Sequence, residues 1–181
     1  IKDMHDNLTL DKSVLYINSV NSTYLNNTEQ KFYINLIDPI KNALNVKIIS
    51  MSVLLNPSLT INGTTIADGD NIYVAVKDYH RLNVNINNNN HSFFDSIPLN
   101  ISEKFGTTVP DKVVMFKREY TCMTFNANDI NNHVLNPADP NLTRIDIELY
   151  DKNGNIINKT DISGFNMSLC IYSGYKKVTM I

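Results

Sequence analysis

The sequence predicts an all-β domain: a single jelly-roll β-sandwich of about eight strands with one short helical insertion. Three observations predict it. Apolar residues recur at every second position in run after run, which is the period of a strand with one buried face. Clusters of Asn, Asp, Gly and Pro separate the runs at short intervals. The chain has 181 residues, 43% of them hydrophobic, enough for one domain over 1–181 whose core needs neither disulfides nor metals.

Taken in order, residues from 1 to about 12 read as an extended N-terminal arm. Its polar start, Lys2-Asp3-Met4-His5-Asp6, is unlike a signal peptide. Val14 to Ile17 adds a short strand. Phe32, Ile34 and Leu36 alternate with Tyr33 and Asn35, so they share one face. Val46 to Leu55 is nearly continuous in apolar and small residues, as for a strand buried on both sides. Ile72, Val74 and Val76 form the next alternating set, and Leu82, Val84 and Ile86 the one after. The segment from Phe93 to Phe105 is expected to be helical, limited to short pieces by Pro98 and Gly106. Val113 to Phe125 reads as two strands or one long bent strand. Asn136-Pro137-Ala138-Asp139-Pro140 reads as a loop, because proline cannot donate to a ladder. Ile145, Ile147 and Leu149 alternate with Asp146 and Glu148. Phe165, Met167, Leu169 and Ile171 alternate with Asn166, Ser168, Cys170 and Tyr172. Asn62-Gly63, Asp68-Gly69-Asp70 and Asp151-Lys152-Asn153-Gly154 supply turns, the last a tight hairpin with Gly154 in the left-handed position.

Composition narrows the function classes. The formal net charge is -2 and the 16 basic residues are scattered, which speaks against electrostatic binding of nucleic acid or an anionic membrane. No apolar run approaches the ~20 residues of a membrane-spanning helix. Cys122 and Cys170 lie in strand-like runs and read as buried thiols of a reducing compartment. Asparagine is abundant, at 28 residues, and concentrates in turns such as Asn87-Asn88-Asn89-Asn90. Sequons such as Asn7-Leu8-Thr9, Asn62-Gly63-Thr64 and Asn141-Leu142-Thr143 follow from that abundance.

A catalytic constellation is not legible, and the chain is read as a non-enzyme without cofactor or metal. His5, His80, His91 and His133 are far apart in sequence and form no His-x-His or His-Glu-x-x-His pair, so they read as surface or loop residues. Asp151-Lys152-Asn153-Gly154-Asn155 starts like a calcium loop. The sixth and twelfth positions, where such a loop needs Gly and Glu, hold Ile156 and Ile162. The carboxylates of Asp68 and Asp70 fit a loop equally well. No Gly-x-Ser-x-Gly elbow or Gly-rich phosphate loop occurs. Lys117-Arg118-Glu119 reads as a solvated strand edge. Tyr172 and Tyr175, with Lys176 and Lys177, read as a contact patch or plain surface, and exposed Tyr24 and Tyr79 as platforms for a sugar.

Three stretches carry a family resemblance. Phe32-Tyr33-Ile34-Asn35-Leu36-Ile37-Asp38-Pro39-Ile40-Lys41-Asn42-Ala43 leads into Val46-Lys47-Ile48-Ile49-Ser50-Met51-Ser52-Val53: a strand, a proline corner and a long buried strand. Asp70-Asn71-Ile72-Tyr73-Val74-Ala75-Val76 leads through Asp78-Tyr79 to Phe93-Phe94. Leu142 to Asp151, the Gly154 turn, and Phe165-Asn166-Met167-Ser168-Leu169 complete the order. Over about Lys31 to Ile171 this resembles the capsid-shell jelly-roll proteins of nucleocytoplasmic large DNA viruses, the group with single-jelly-roll penton and minor capsid proteins. The resemblance implies a structural role in an icosahedral shell, foremost as a penton protein forming a homopentamer at five-fold vertices. A minor capsid protein beneath or between major capsid capsomers is the alternative, and a lectin-like or fibre-head binding module a second one. The partners so implied are copies of the chain itself, major capsid capsomers and other minor capsid proteins. The implied location is the virion, assembled in the host cytoplasm.

Overall fold

The period-2 runs fold as strands. The computed structural model describes residues 8–56, 58–80, 82–99, 113–119 and 132–176. In chain order the strands are β1 (Leu8–Asn18), β2 (Thr23–Tyr24), β3 (Lys31–Leu55), β4 (Thr60–Ile61), β5 (Thr64–Thr65) and β6 (Asn71–Val76). They continue with β7 (Leu82–Ile86), β8 (Asn89–Phe93), β9 (Asp95–Pro98), β10 (Val113–Glu119), β11 (Asn132–Tyr150) and β12 (Ile162–Lys176). Two single 3-10 turns, Ser19–Asn21 and Lys159–Asp161, are the helical content among the described residues.

Eight strands form one antiparallel sheet, and β4–β5 and β7–β8 are separate hairpins. β3 spans 25 residues and β11 spans 19, against about 5–6 for an ordinary strand. Neither is straight. Residues 135–138 of β11 face residue 44 alone, and residues 36–39 of β3 face residue 143 alone. Extra residues on one strand bend it and increase its twist. The two bulges, on opposite strands, curl the sheet into a half-barrel. Pro39 and Pro137 fall inside them, where the ladder is already broken and no N–H is missed. Asn42, opposite Pro140, takes the left-handed conformation at φ 52.

The bend gives β3 two sets of neighbours. Residues 43–55 lie beside β12, which pairs with β1 on its far side, while residues 50–55 pair with β10. Residues 31–43 lie beside the C-terminal part of β11, which pairs in turn with β6, and β6 with β9. The sets run β1-β12-β3-β10 and β3-β11-β6-β9, an all-β arrangement consistent with a sandwich. One hydrophobic cluster draws on both: Met51, Val53, Phe165 and Met167 from the first, Phe32, Ile72, Val74, Ile145 and Ile147 from the second. The rings of Phe32 and Phe165 meet between the two sets at 6.0 Å.

Burial follows the predicted alternation in β6, where Ile72, Val74 and Val76 are buried and Tyr73 and Ala75 half-buried. The same holds for Ile145, Ile147 and Leu149 of β11. In β12 the alternation ends after a register shift between Ser168 and Leu169. From there Leu169, Cys170, Ile171 and Tyr172 are all buried, so Tyr172 is not a surface residue. In β7 only Ile86 is buried, and Leu82 and Val84 are half-covered.

Three expectations change. The helical insertion is absent where the structure describes it: Phe93 ends β8 and Asp95–Pro98 is β9, while residues 100–105 lie outside the described residues. The Phe93-Phe94 doublet at the start of that segment is instead a crossing point. Phe93 packs on the outside of the sheet against Tyr73, and Phe94, 0% exposed, enters the core. Pro98 is tolerated because β9 is an edge strand. Residues 136–140, read as a loop, lie within β11 as a bulged segment. The arm expected over 1–12 is strand from Leu8 onward, paired along β12 from Lys176 to Asn166, and residues 1–7 lie outside the described residues. The strand expected over Val113 to Phe125 is seen as β10 up to Glu119, with Lys117-Arg118-Glu119 in its ladder to β3; the remainder lies outside. Cys122 also lies outside the described residues.

Candidate functional site

Alternation fixes what the outer face of β11 presents. With Ile145, Ile147 and Leu149 inward, Arg144, Asp146, Glu148 and Tyr150 face out. Beside them, Tyr73 and Ala75 of β6 present the same face, and β6 ends at Val76 before exposed Lys77 and Asp78.

The β7–β8 hairpin covers part of this face. Its turn residues Asn87 and Asn88 are both left-handed, at φ 51 and 64, the conformation of the two-residue turns that match strand twist. Phe93 anchors it. Its ring stacks on Tyr73 at 4.7 Å and tilts against Tyr150 at 5.2 Å. His91 lies parallel to Phe93 at 5.8 Å. His91 also meets the β11–β12 turn at Gly154, where an added Cβ would come within 3.0 Å of Cε1. Gly154 has φ 79, so both the turn and the approach of His91 require glycine.

Between hairpin and sheet lies an open groove of about 510 Å³, with Leu25 at its lip. Its polar wall is β11. The Arg144 guanidinium sits 3.7 Å over the Tyr33 ring, and its Nε donates to Asp146 Oδ2 at 2.9 Å. Tyr150 Oη donates to Glu148 Oε2 at 2.5 Å. Burial first, then the Glu148 hydrogen bond and charge, push the Tyr150 phenol far above its ordinary range, so it acts as a donor. Lys77, Asp78, His80 and Ser92, all exposed, also line the groove. Lys77, His80 and Ser92 make no side-chain hydrogen bond or ion pair with the described residues. A smaller pocket of about 340 Å³ adjoins it, lined by Tyr79, Asp139 and Arg144 among others. Tyr79 is 6% exposed, and burial followed by the Asp139 charge drives its phenol far above the usual range.

The structure thus brings together His80 and His91, which the sequence separates. The backbone of His133 lies in β11, and His5 lies outside the described residues. The described residues contain no group of three or more His, Cys, Asp and Glu side chains placed to hold a metal ion. Asp151, the first residue of the calcium-like stretch, is buried as a turn organiser. Its Oδ1 accepts from the N–H groups of Asn153 and Asn155, and its Oδ2 from Asn62 Nδ2. Asn62, left-handed at φ 50, also donates to the Ile156 carbonyl and accepts from the Asn158 N–H, so this sequon asparagine is a structural tie. Asp70 accepts from Lys152 Nζ at 2.8 Å and from the Ala67 N–H. Burial opposes its charge, yet Lys152 and the Ala67 N–H hold its pKa below the usual carboxylate value.

The two tyrosines expected as sugar platforms are not available as such. Tyr79 is buried, and Tyr24 is half-buried, with Lys159 Nζ 3.8 Å over its ring and its hydroxyl donating to Gln30. Sequence reasoning passed over the Arg144-Asp146-Glu148-Tyr150 row because alternating polar residues mark any solvated strand face. What distinguishes it is the hairpin folded over it. No protein-family model matches the chain, and no curated protein matches it.

Proposed function

We propose that the chain is a non-enzymatic single jelly-roll shell protein of an icosahedral virion, acting as the penton protein in a homopentamer at five-fold vertices. The observation that carries this is the neighbour order of the strands. In this reading eight segments in chain order, β1, the two halves of β3, β6, β9, β10, β11 and β12, are taken as the eight strands of a jelly roll. Four of these lie in the order first-eighth-third-sixth, β1-β12-β3-β10, and four in the order second-seventh-fourth-fifth, β3-β11-β6-β9. This interleaving is what two wound Greek keys produce.

The test is the assembly state of the purified full chain. Analytical ultracentrifugation should find a species of five times the 20.5 kDa chain mass, and two-dimensional class averages should show five-fold rings. A monomer at high concentration with no affinity for capsid components rejects the reading. Binding to capsomers without five-fold rings transfers it to a minor capsid protein.

A further inference from the structure

We infer that the groove under the β7–β8 hairpin is a binding site for the end of a neutral oligosaccharide. Its volume, about 510 Å³, falls in the ~300–1,000 Å³ range of small-ligand sites. The charge pattern of its lining selects the class. Lys77 and Arg144 are cationic, and Asp78, Asp146 and Glu148 anionic. Mixed signs this close to balance give an ion of either sign little net attraction. They suit a ligand whose groups both donate and accept, and sugar hydroxyls do both.

The groups are also placed to be used. Lys77, His80 and Ser92 are exposed and make no side-chain hydrogen bond with the described residues, so a ligand does not have to displace partners. Asp146 is held by Arg144, and Glu148 by Tyr150 and, at 3.8 Å, by Lys31, which leaves their remaining lone pairs to accept from hydroxyls. Tyr150 and Leu25 supply apolar surface for the C–H faces of a ring. The parts come from separate stretches of chain, at Leu25, at 75–80, at 91–93 and at 144–150, and the Phe93 anchor ties the hairpin to the sheet through Tyr73 and Tyr150. Preorganisation of that kind lowers the ordering cost of binding.

This inference does not depend on the shell reading. The experiment is a screen of the full chain on immobilised neutral and acidic oligosaccharides, followed by titration of the best hit in solution. The variants are His80→Ala, Glu148→Gln and, as a control on the far edge of the sheet, Val14→Ser. The expected result is saturable binding to neutral oligosaccharides, weakened about tenfold by Glu148→Gln, weakened measurably by His80→Ala and unchanged by Val14→Ser. His80 is exposed, so His80→Ala is expected to leave folding intact should Glu148→Gln disturb it. Three outcomes overturn the inference: no saturable binding, binding unchanged in both groove variants, or binding only to sulfated polymers that salt abolishes. Ring formation, measured on the same samples, reports separately on the shell reading.

Discussion

Gly154→Ala tests the junction between hairpin and sheet. At φ 79 a Cβ costs about 1–2 kcal/mol. The new methyl also meets His91 at 3.0 Å from Cε1 and 3.1 Å from Nε2. His91 is also stacked on Phe93, and retreat from the methyl would disturb that contact. Relieving that overlap adds roughly 1 kcal/mol, at the low end for overpacking, since the ring is only half-buried. Lower entropy of the unfolded alanine chain returns about 0.4–1 kcal/mol. The net loss is about 2 kcal/mol, roughly 4–8 °C in Tm for a chain of this size. Urea denaturation followed by circular dichroism measures it as a lowered midpoint at unchanged slope. The two causes separate in a His91→Ala background, where the steric part vanishes and the backbone part stays. The alanine at 154 should then cost about 1 kcal/mol less than in the parent. A loss below about 0.5 kcal/mol in the parent, or an equal loss in both backgrounds, refutes the reasoning.

Other perturbations have equally definite outcomes. Asn45 is 1% exposed and neither side-chain polar atom has a partner among the described residues, so Asn45→Leu should be neutral or stabilising by about 1–2 kcal/mol in urea melts. Phe165→Ala should cost about 3–5 kcal/mol, and a double-mutant cycle with Phe32→Ala should show about 0.5–1.5 kcal/mol of coupling through their contact. Lys152→Met removes the partner of Asp70; because Lys152 is partly exposed, the loss should stay under about 1 kcal/mol and shrink with salt. The folded pKa of Asp70 is lowered, so its contribution is present above the unfolded value of about 3.9 and is lost as pH falls through the folded one. Stability of the variant and parent should therefore converge in acid.

The strands and most of their inward faces were legible because burial of one sheet face imposes period 2 locally. Gly154 and Asn62 were legible as turns for a similarly local reason, the left-handed backbone. The prolines misled: Pro137 and Pro140 suggested a loop, since a sequence does not say whether a broken ladder is a turn or a bulge between two long strands. The segment from Phe93 misled because it is the junction of two short strands, β8 and β9, which pair with different strands, β7 and β6. The groove was not legible at all. Its histidines are eleven positions apart and its β11 carboxylates, Asp146 and Glu148, more than fifty positions further on, and no local pattern records that a hairpin folds back over β11. Thus the residues by themselves determine the all-β character, the strand faces and the turn chemistry, which depend on neighbours one to four positions away. The curl of the sheet, the meeting of Phe32 with Phe165 and the groove between His80 and Glu148 were decided by tertiary structure alone, because each depends on which distant segments share the limited interior.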